Sequence, residues 1–280
     1  MFSDFHGLWA ISPQYQNAIL QALRAGGMKP VLQGCPPVSD QVQAASGFSY
    51  EAYYADLLSI GPDKDVVVIP VVGTMARGWT WDNYFSNTFM MSLLASIAEN
   101  PAKKGVIFDF NTGGGTVDSL DEFAAAVQQF QTKKPIVALA NFCASAGYYI
   151  ASQCNEIIMR QGPVAAVGSI GTISFYYNYA RMYEEAGIDW KIFRSTGSVD
   201  KAKMNGLEPL DAETEAEVQA LLDACNKQFK AAVRTGRGAK LTSDEIYTGK
   251  LYGYDKAKRL GMVDRVGDMN AAYKRVIQLS

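Results

Sequence analysis

Histidine is almost missing from this chain of 280 residues, whose single copy is His6. A histidine-based triad or a histidine-rich zinc shell is therefore excluded, and any catalytic serine must find another base. The four cysteines, Cys35, Cys143, Cys154 and Cys225, show no C-x-x-C pairing, which argues against a metal centre, a redox motif or a disulfide framework. Blocks of like charge are absent as well. With 26 basic and 28 acidic residues the net charge is −2, which leaves no electrostatic footprint for nucleic acid or an anionic membrane. Long apolar runs are also missing: VVVIPVV, Val66 to Val72, is far too short to cross a bilayer, and the start MFSDFHGLWAISPQYQ has neither a basic nor an apolar leader region. These absences lead to the expectation of a soluble cytoplasmic protein without metal, cofactor, nucleic-acid partner or transmembrane segment.

What is present is a chain that is 48% hydrophobic and 19% charged, enough for a sizeable core. Residues 1–60 mix short helical patterns (Gln14 to Leu23, Tyr50 to Ser59) with the Gly/Pro-rich section GCPPVSD, and read as an N-terminal helical arm. Residues 61–280 read as the main domain. In it the apolar runs VVVIPVVG (66–73), KGVIFDF (104–110), KPIVALAN (134–141) and NEIIMR (155–160) are spaced by helix-length segments at 87–100 and 117–131 and by a short one near Ser145. Such alternation predicts an α/β fold with a parallel sheet buried on both faces. Further on, the patterns predict a helix over 178–186, a strand over WKIFRS (190–195) and a long helix over 211–234.

Three features lie where strands end and helices begin, the edge at which open α/β sheets bind ligands. NTGGGTVDS, Asn111 to Ser119, reads either as a tight turn or as a run of amides aimed at developing negative charge. In NFCASAGYYIAS, Ser145 reads either as an N-cap or as a nucleophile on a sharp turn whose following amide, that of Ala146, helps hold an oxyanion. The missing base can be a lysine made neutral by burial, and STGSVDKAKMNGLEPL supplies Lys201 and Lys203. The residues alone leave each alternative open.

Taken in order, strand–GGG–helix, ASAGYYIAS, VGSIGT, GSVDKAKMNGLEPL and GKLYGYDKAKRLGMVDRVG resemble the S49 serine peptidases, a family that includes signal peptide peptidase A and the head maturation proteases of tailed phages. The resemblance runs from about Val66 to the C-terminus. It implies a ClpP/crotonase-like fold of repeated ββα units and a ring-like homo-oligomer in which Ser and Lys of one site come from neighbouring subunits. It assigns the nucleophile to Ser145 and the general base to Lys201, eight residues before Pro209, with Lys203 as fallback. Ser169 is the serine that orients the lysine. The oxyanion amides fall to Gly114 and Ala146, with Gly115 a near neighbour and Gly113 the first of the three glycines.

GLWAISPQYQNAIL, Gly7 to Leu20, is similar to a segment near the start of phage members. The implied activity is Ser–Lys peptide-bond hydrolysis on a polypeptide bound extended as an added strand. Capsid or scaffold proteins would be partners, and the phage procapsid a second location. Tyr148, Tyr149, Phe175, Tyr176 and Tyr177 line a groove in one reading and pack a core in the other; Cys143 reads as packing. The competing functions are a crotonase-type acyl-CoA enzyme and a non-catalytic capsid assembly protein on the same fold.

Overall fold

A computed structural model describes the backbone of residues 9–11 and all of residues 49–280. His6, Cys35 and the helix expected over Gln14 to Leu23 lie outside the described residues.

The apolar runs form parallel strands. β1 (Trp9–Ile11), β2 (Ser59–Ile60), β3 (Val66–Met75), β4 (Gly105–Thr116), β5 (Ile136–Ala144) and β6 (Glu156–Met159) belong to one sheet, with β7 (Ala166–Gly168), β8 (Leu251–Tyr252) and β9 (Arg265–Val266). Its main path is β2-β3-β4-β5-β6-β9, parallel throughout except for the edge strand β2.

Parallel neighbours need crossovers, and helices supply them. Among the described residues the first helix, α1 (Tyr50–Leu57), precedes β2, while α2 (Asn87–Glu99), α3 (Leu120–Gln131) and α4 (Ala146–Ala151) link β3 through β6. Ser86 caps α2 by accepting from the Phe89 amide at 3.1 Å, and that helix buries Met90, Leu93, Leu94 and Ile97, spaced as one face of a helix requires. α3, over the helix-length segment expected at 117–131, buries Leu120, Phe123, Ala124, Val127 and Phe130, spaced as one helix face. Each large side chain so buried contributes about 1.5–3 kcal/mol.

The opposite face of the sheet carries a second core in which Val66, Ile107, Val137, Leu139 and Ile158 pack against Ala272 and Val276 of the C-terminal helix (Met269–Leu279). Burial on both faces explains why these strands are continuously apolar rather than alternating. Strand and helix units repeat along the chain in the α/β manner.

Two expectations change. The glycines of NTGGGT do not form a turn: β4 continues through them to Thr116, after irregularities at Val72/Thr74 of β3 and Phe110/Asn111 of β4. Lacking side chains, they let the strand come close to its neighbour, and a Cβ on Gly115 would sit 1.7 Å from the Met75 carbonyl oxygen. WKIFRS is not a strand. It pairs with no strand among the described residues, and Phe193 is 83% exposed. Near the expected boundary at residue 60, Ala55 is buried in the main core and Ser59–Ile60 pairs with Val66–Val67. Helices at Ala180–Glu185 and Ala212–Arg237 lie where the patterns place them.

Candidate active site

Ser145 joins β5 to α4 with φ 54° and ψ −117°. This backbone region is nearly reserved for glycine and costs about 1–3 kcal/mol for other residues. Two contacts hold the turn: the Ser145 amide donates to the Gly168 carbonyl at 2.7 Å, and the Ser145 carbonyl accepts from the Tyr149 amide at 2.9 Å. The hydroxyl makes no capping hydrogen bond. It is buried, and its oxygen has no hydrogen-bond partner among the described residues. An ordinary N-cap serine accepts from an amide of the first helical turn. Ser145 does not, so capping does not account for it.

A buried unpaired hydroxyl on a strained turn is a double expense, since the unmade hydrogen bond alone costs about 1–3 kcal/mol. Ala146 follows at the first helical position, where the N–H has no intrahelical acceptor.

The glycine strand approaches from the other side. β4 pairs with β5 as far as Thr112↔Cys143. Gly114 has φ 104°, and its amide donates to Thr112 Oγ1 at 3.0 Å, while that hydroxyl donates to the Gly73 carbonyl. The Gly114 amide expected to hold an oxyanion is thus engaged by a hydroxyl in this state. Thr112 is fully buried, and sequence reasoning gave it no role; the only available signal was a threonine directly before the glycines.

Ser169 lies beside the turn. β7 pairs with β5 through Ala144↔Gly168, and Ser169, with φ 55°, donates its amide to the Lys250 carbonyl at 2.8 Å. The structure therefore brings Ser145, Ala146, Ser169 and the Gly113–Gly115 strand to one end of the sheet.

It does not bring either lysine to Ser145 within the protomer. Lys201 is exposed on an irregular loop whose carbonyl accepts from Arg194 Nε at 2.7 Å. Lys203 pairs with Asp211 at 2.7 Å, and that hydrogen bond raises its pKa and favours the charged form. Tyr148 and Tyr149 do not line a groove. Both are buried, with the Tyr148 hydroxyl donating to the Met262 carbonyl at 2.9 Å and Tyr149 bonding Asp121. Phe175 and Tyr177 instead lie partly exposed in a stacked row with Tyr179, and the Tyr176 hydroxyl donates to the Glu208 carbonyl. Burial pushes the thiols of Cys143 and Cys154 well above their usual range, as befits packing groups. Among the described residues no three His, Cys, Asp or Glu side chains converge on a possible metal position, and no helix is long and apolar enough to cross a membrane.

Known proteins share this sequence pattern. The protein slr0021 of Synechocystis sp., named as a candidate protease, is 28% identical over 205 residues, 73% of this chain and 70% of its own length. Capsid assembly protease C of Escherichia phage lambda is 28% identical over 243 residues, 78% of this chain; the chain spans 54% of that relative's length. Among solved structures, a membrane-bound stomatin-specific protease variant with a substrate peptide superposes with a TM-score of 0.40 at 16% identity, covering 75% of this chain and 78% of the other. The model of peptidase family S49 matches residues 128–280, a span containing Ser145, Ser169, both candidate lysines and the C-terminal GKLYGYDKAKRLGMVDRVG. With more than half its length matched by that model, the chain belongs to peptidase family S49.

Proposed function

We propose that the chain is a serine endopeptidase with Ser145 as nucleophile and Lys201 as general base. The observation that carries this reading is the buried, unpartnered Ser145 hydroxyl on a strained turn at the sheet end. Strain and an unsatisfied polar group persist where chemistry needs them. A crotonase-type enolate site has no use for such a serine.

The lysine has to be brought to the serine, and the site is completed by the 195–210 loop of an adjoining copy. Two features support an assembly. Lys201 stands free of Ser145 in the protomer, and the segment bearing it exposes Met182, Trp190, Phe193 and Val199, an apolar display that an isolated protomer leaves in water. The Lys203–Asp211 ion pair favours Lys201 over Lys203, because a base must be the neutral amine.

In the reaction the neutral amine takes the Ser145 proton as Oγ attacks the scissile carbonyl. The Ala146 amide, with Gly114 or Gly115, holds the oxyanion. Collapse of the tetrahedral intermediate breaks the C–N bond, and the ammonium returns its proton to the leaving amine. Water, deprotonated by the same amine, then hydrolyses the acyl ester and frees Ser145. Substrates are extended polypeptides, and the relation to the phage lambda capsid assembly protease favours capsid or scaffold proteins among them.

Separate Ser145→Ala and Lys201→Ala variants test this reading. Each alone is expected to lose at least about a thousandfold in cleavage. Mixed together under conditions that exchange subunits, they should regain a measurable fraction, because some sites then combine an intact serine with an intact lysine. Wild-type cleavage by both variants would sink the dyad; no recovery on mixing would sink the shared site.

A further inference from the structure

β4 has two edges beyond its irregularity at Phe110/Asn111. One is taken by β3, through Thr74↔Gly114 and Met75↔Gly115. The other belongs to β5 up to Thr112↔Cys143, and continuing that register would set Ser145 opposite Gly114. The chain instead turns away at Ser145 into α4, so β5 leaves the edge at the point where the candidate nucleophile stands.

The vacated edge is filled by the protein's own N-terminal segment. β1 runs antiparallel along it with Trp9↔Thr116, Ala10↔Gly115 and Ile11↔Gly114. Neighbouring strands lie about 4.8 Å apart, so the Ile11 backbone takes the place next to Gly114 that Ser145 would otherwise hold. Ser145 itself is only 1% exposed. Because Gly113–Gly115 offer no side chains, this edge recognises a partner through main-chain hydrogen bonds and accepts an extended segment of almost any sequence.

We propose that β1 occupies the seat of the polypeptide substrate, so that the N-terminal segment is a tethered competitor of the chains this protein cleaves. The proposal rests on the peptidase reading above. Tethering supplies the segment at an effective concentration on the order of millimolar, so a free substrate must displace it. Opening this edge lowers KM and leaves kcat unchanged, since no group that touches the reacting atoms is altered.

The test uses full-length chains carrying Ala10→Pro or Ile11→Pro. Alternate residues of an antiparallel strand turn their N–H groups to the partner, so one of the two prolines removes a ladder bond and the other serves as its control. Amide hydrogen exchange is followed at Gly115 and Thr116, the Gly114 amide being held by Thr112 Oγ1, in the Ser145→Ala background, where no turnover can disturb it. One proline is expected to speed exchange there at least about tenfold, and a synthetic peptide of residues 4–16 should restore protection. In the Ser145-bearing chain the same proline should lower KM for a polypeptide substrate, and the peptide should inhibit competitively.

Unchanged exchange with both prolines overturns the proposal, as does altered exchange with KM unmoved. Exchange that responds in a chain with no cleavage at all keeps the strand in its seat and sinks the peptidase reading instead.

Discussion

The amide of Ser145 donates to the carbonyl of Gly168 at 2.7 Å. Through this bond the turn carrying the candidate nucleophile is fixed by β7, which is itself held by β8 through Val167↔Tyr252 and Gly168↔Leu251. The serine is thus positioned by backbone from both sides while its hydroxyl stays unengaged, which is preorganisation of the kind a nucleophile needs.

The conformation of Ser145 sets activity against stability. Glycine adopts φ 54° and ψ −117° freely, so Ser145→Gly removes both the strain and the unpaired hydroxyl. Chemical denaturation is expected to find Ser145→Gly more stable than wild type by about 1–3 kcal/mol, and cleavage assays to find it inactive. Ser145→Ala should be inactive too, but less stable than the glycine variant because it keeps the strained backbone.

Gly115 tests the close approach of β3 and β4. A methyl group there meets the Met75 carbonyl oxygen at 1.7 Å, a backbone atom that cannot move aside. Gly115→Ala is expected to cost at least about 3 kcal/mol in denaturant unfolding. Gly78→Ala, with open space around its Cβ, should stay within about 0.5 kcal/mol of wild type.

Tyr148 ties the helix after Ser145 to the C-terminal region through the Met262 carbonyl at 2.9 Å. Both groups are buried, so Tyr148→Phe leaves a carbonyl without a donor, at a cost of about 1–3 kcal/mol. Burial pushes the phenol well above its usual pKa. Its ultraviolet ionisation should therefore be missing from an alkaline titration of the folded protein and appear only on unfolding.

Asp264 governs stability in acid. Burial pushes its pKa up, but hydrogen bonds from Arg237, that residue's charge, Lys240 and the Ile157 amide outweigh this and hold it at about 2. A carboxylate depressed on folding stabilises fully above its unfolded pKa of 3.8, and that stability is lost as pH falls towards 2. The loss is on the order of 2 kcal/mol and should show in unfolding free energies measured between pH 5 and pH 2. Asp264→Asn strands the Arg237 guanidinium, whose side chain is 1% exposed, and is expected to cost about 3–5 kcal/mol at neutral pH and to flatten that dependence.

The strands were legible because Val66 to Val72, Val106 to Phe108 and Ile136 to Ala140 are apolar on both faces, a pattern that only a sheet covered twice demands. The stripe of α3 was legible from its period. The glycine run was not, because a positive φ at Gly114 and an irregular register let a strand pass where composition suggests a turn. WKIFRS has the β propensity of a strand yet lacks a partner among the described residues, and propensity without pairing does not make one. The placement of Ser145 and Ala146 at a sheet end was legible from the strand-to-helix junction they occupy, whereas Ser169 was legible only through the motif resemblance. How a lysine would reach them was not legible, because Lys201 lies exposed on an irregular loop that no strand or helix pattern places.

The bond from the Ser169 amide to the Lys250 carbonyl, with the pairing of β7 on β8, also bears on timing. A chain grows from its N-terminus. The N-terminal strand and β4 are therefore made long before residues 250–252, which brace the far side of the Ser145 turn. A nascent chain stalled before Tyr252 carries the serine without that brace. On the proposed reading, competence to cut waits until residues 250–252 have been made, by which time the strands of the sheet core from β3 to β6 are already in place.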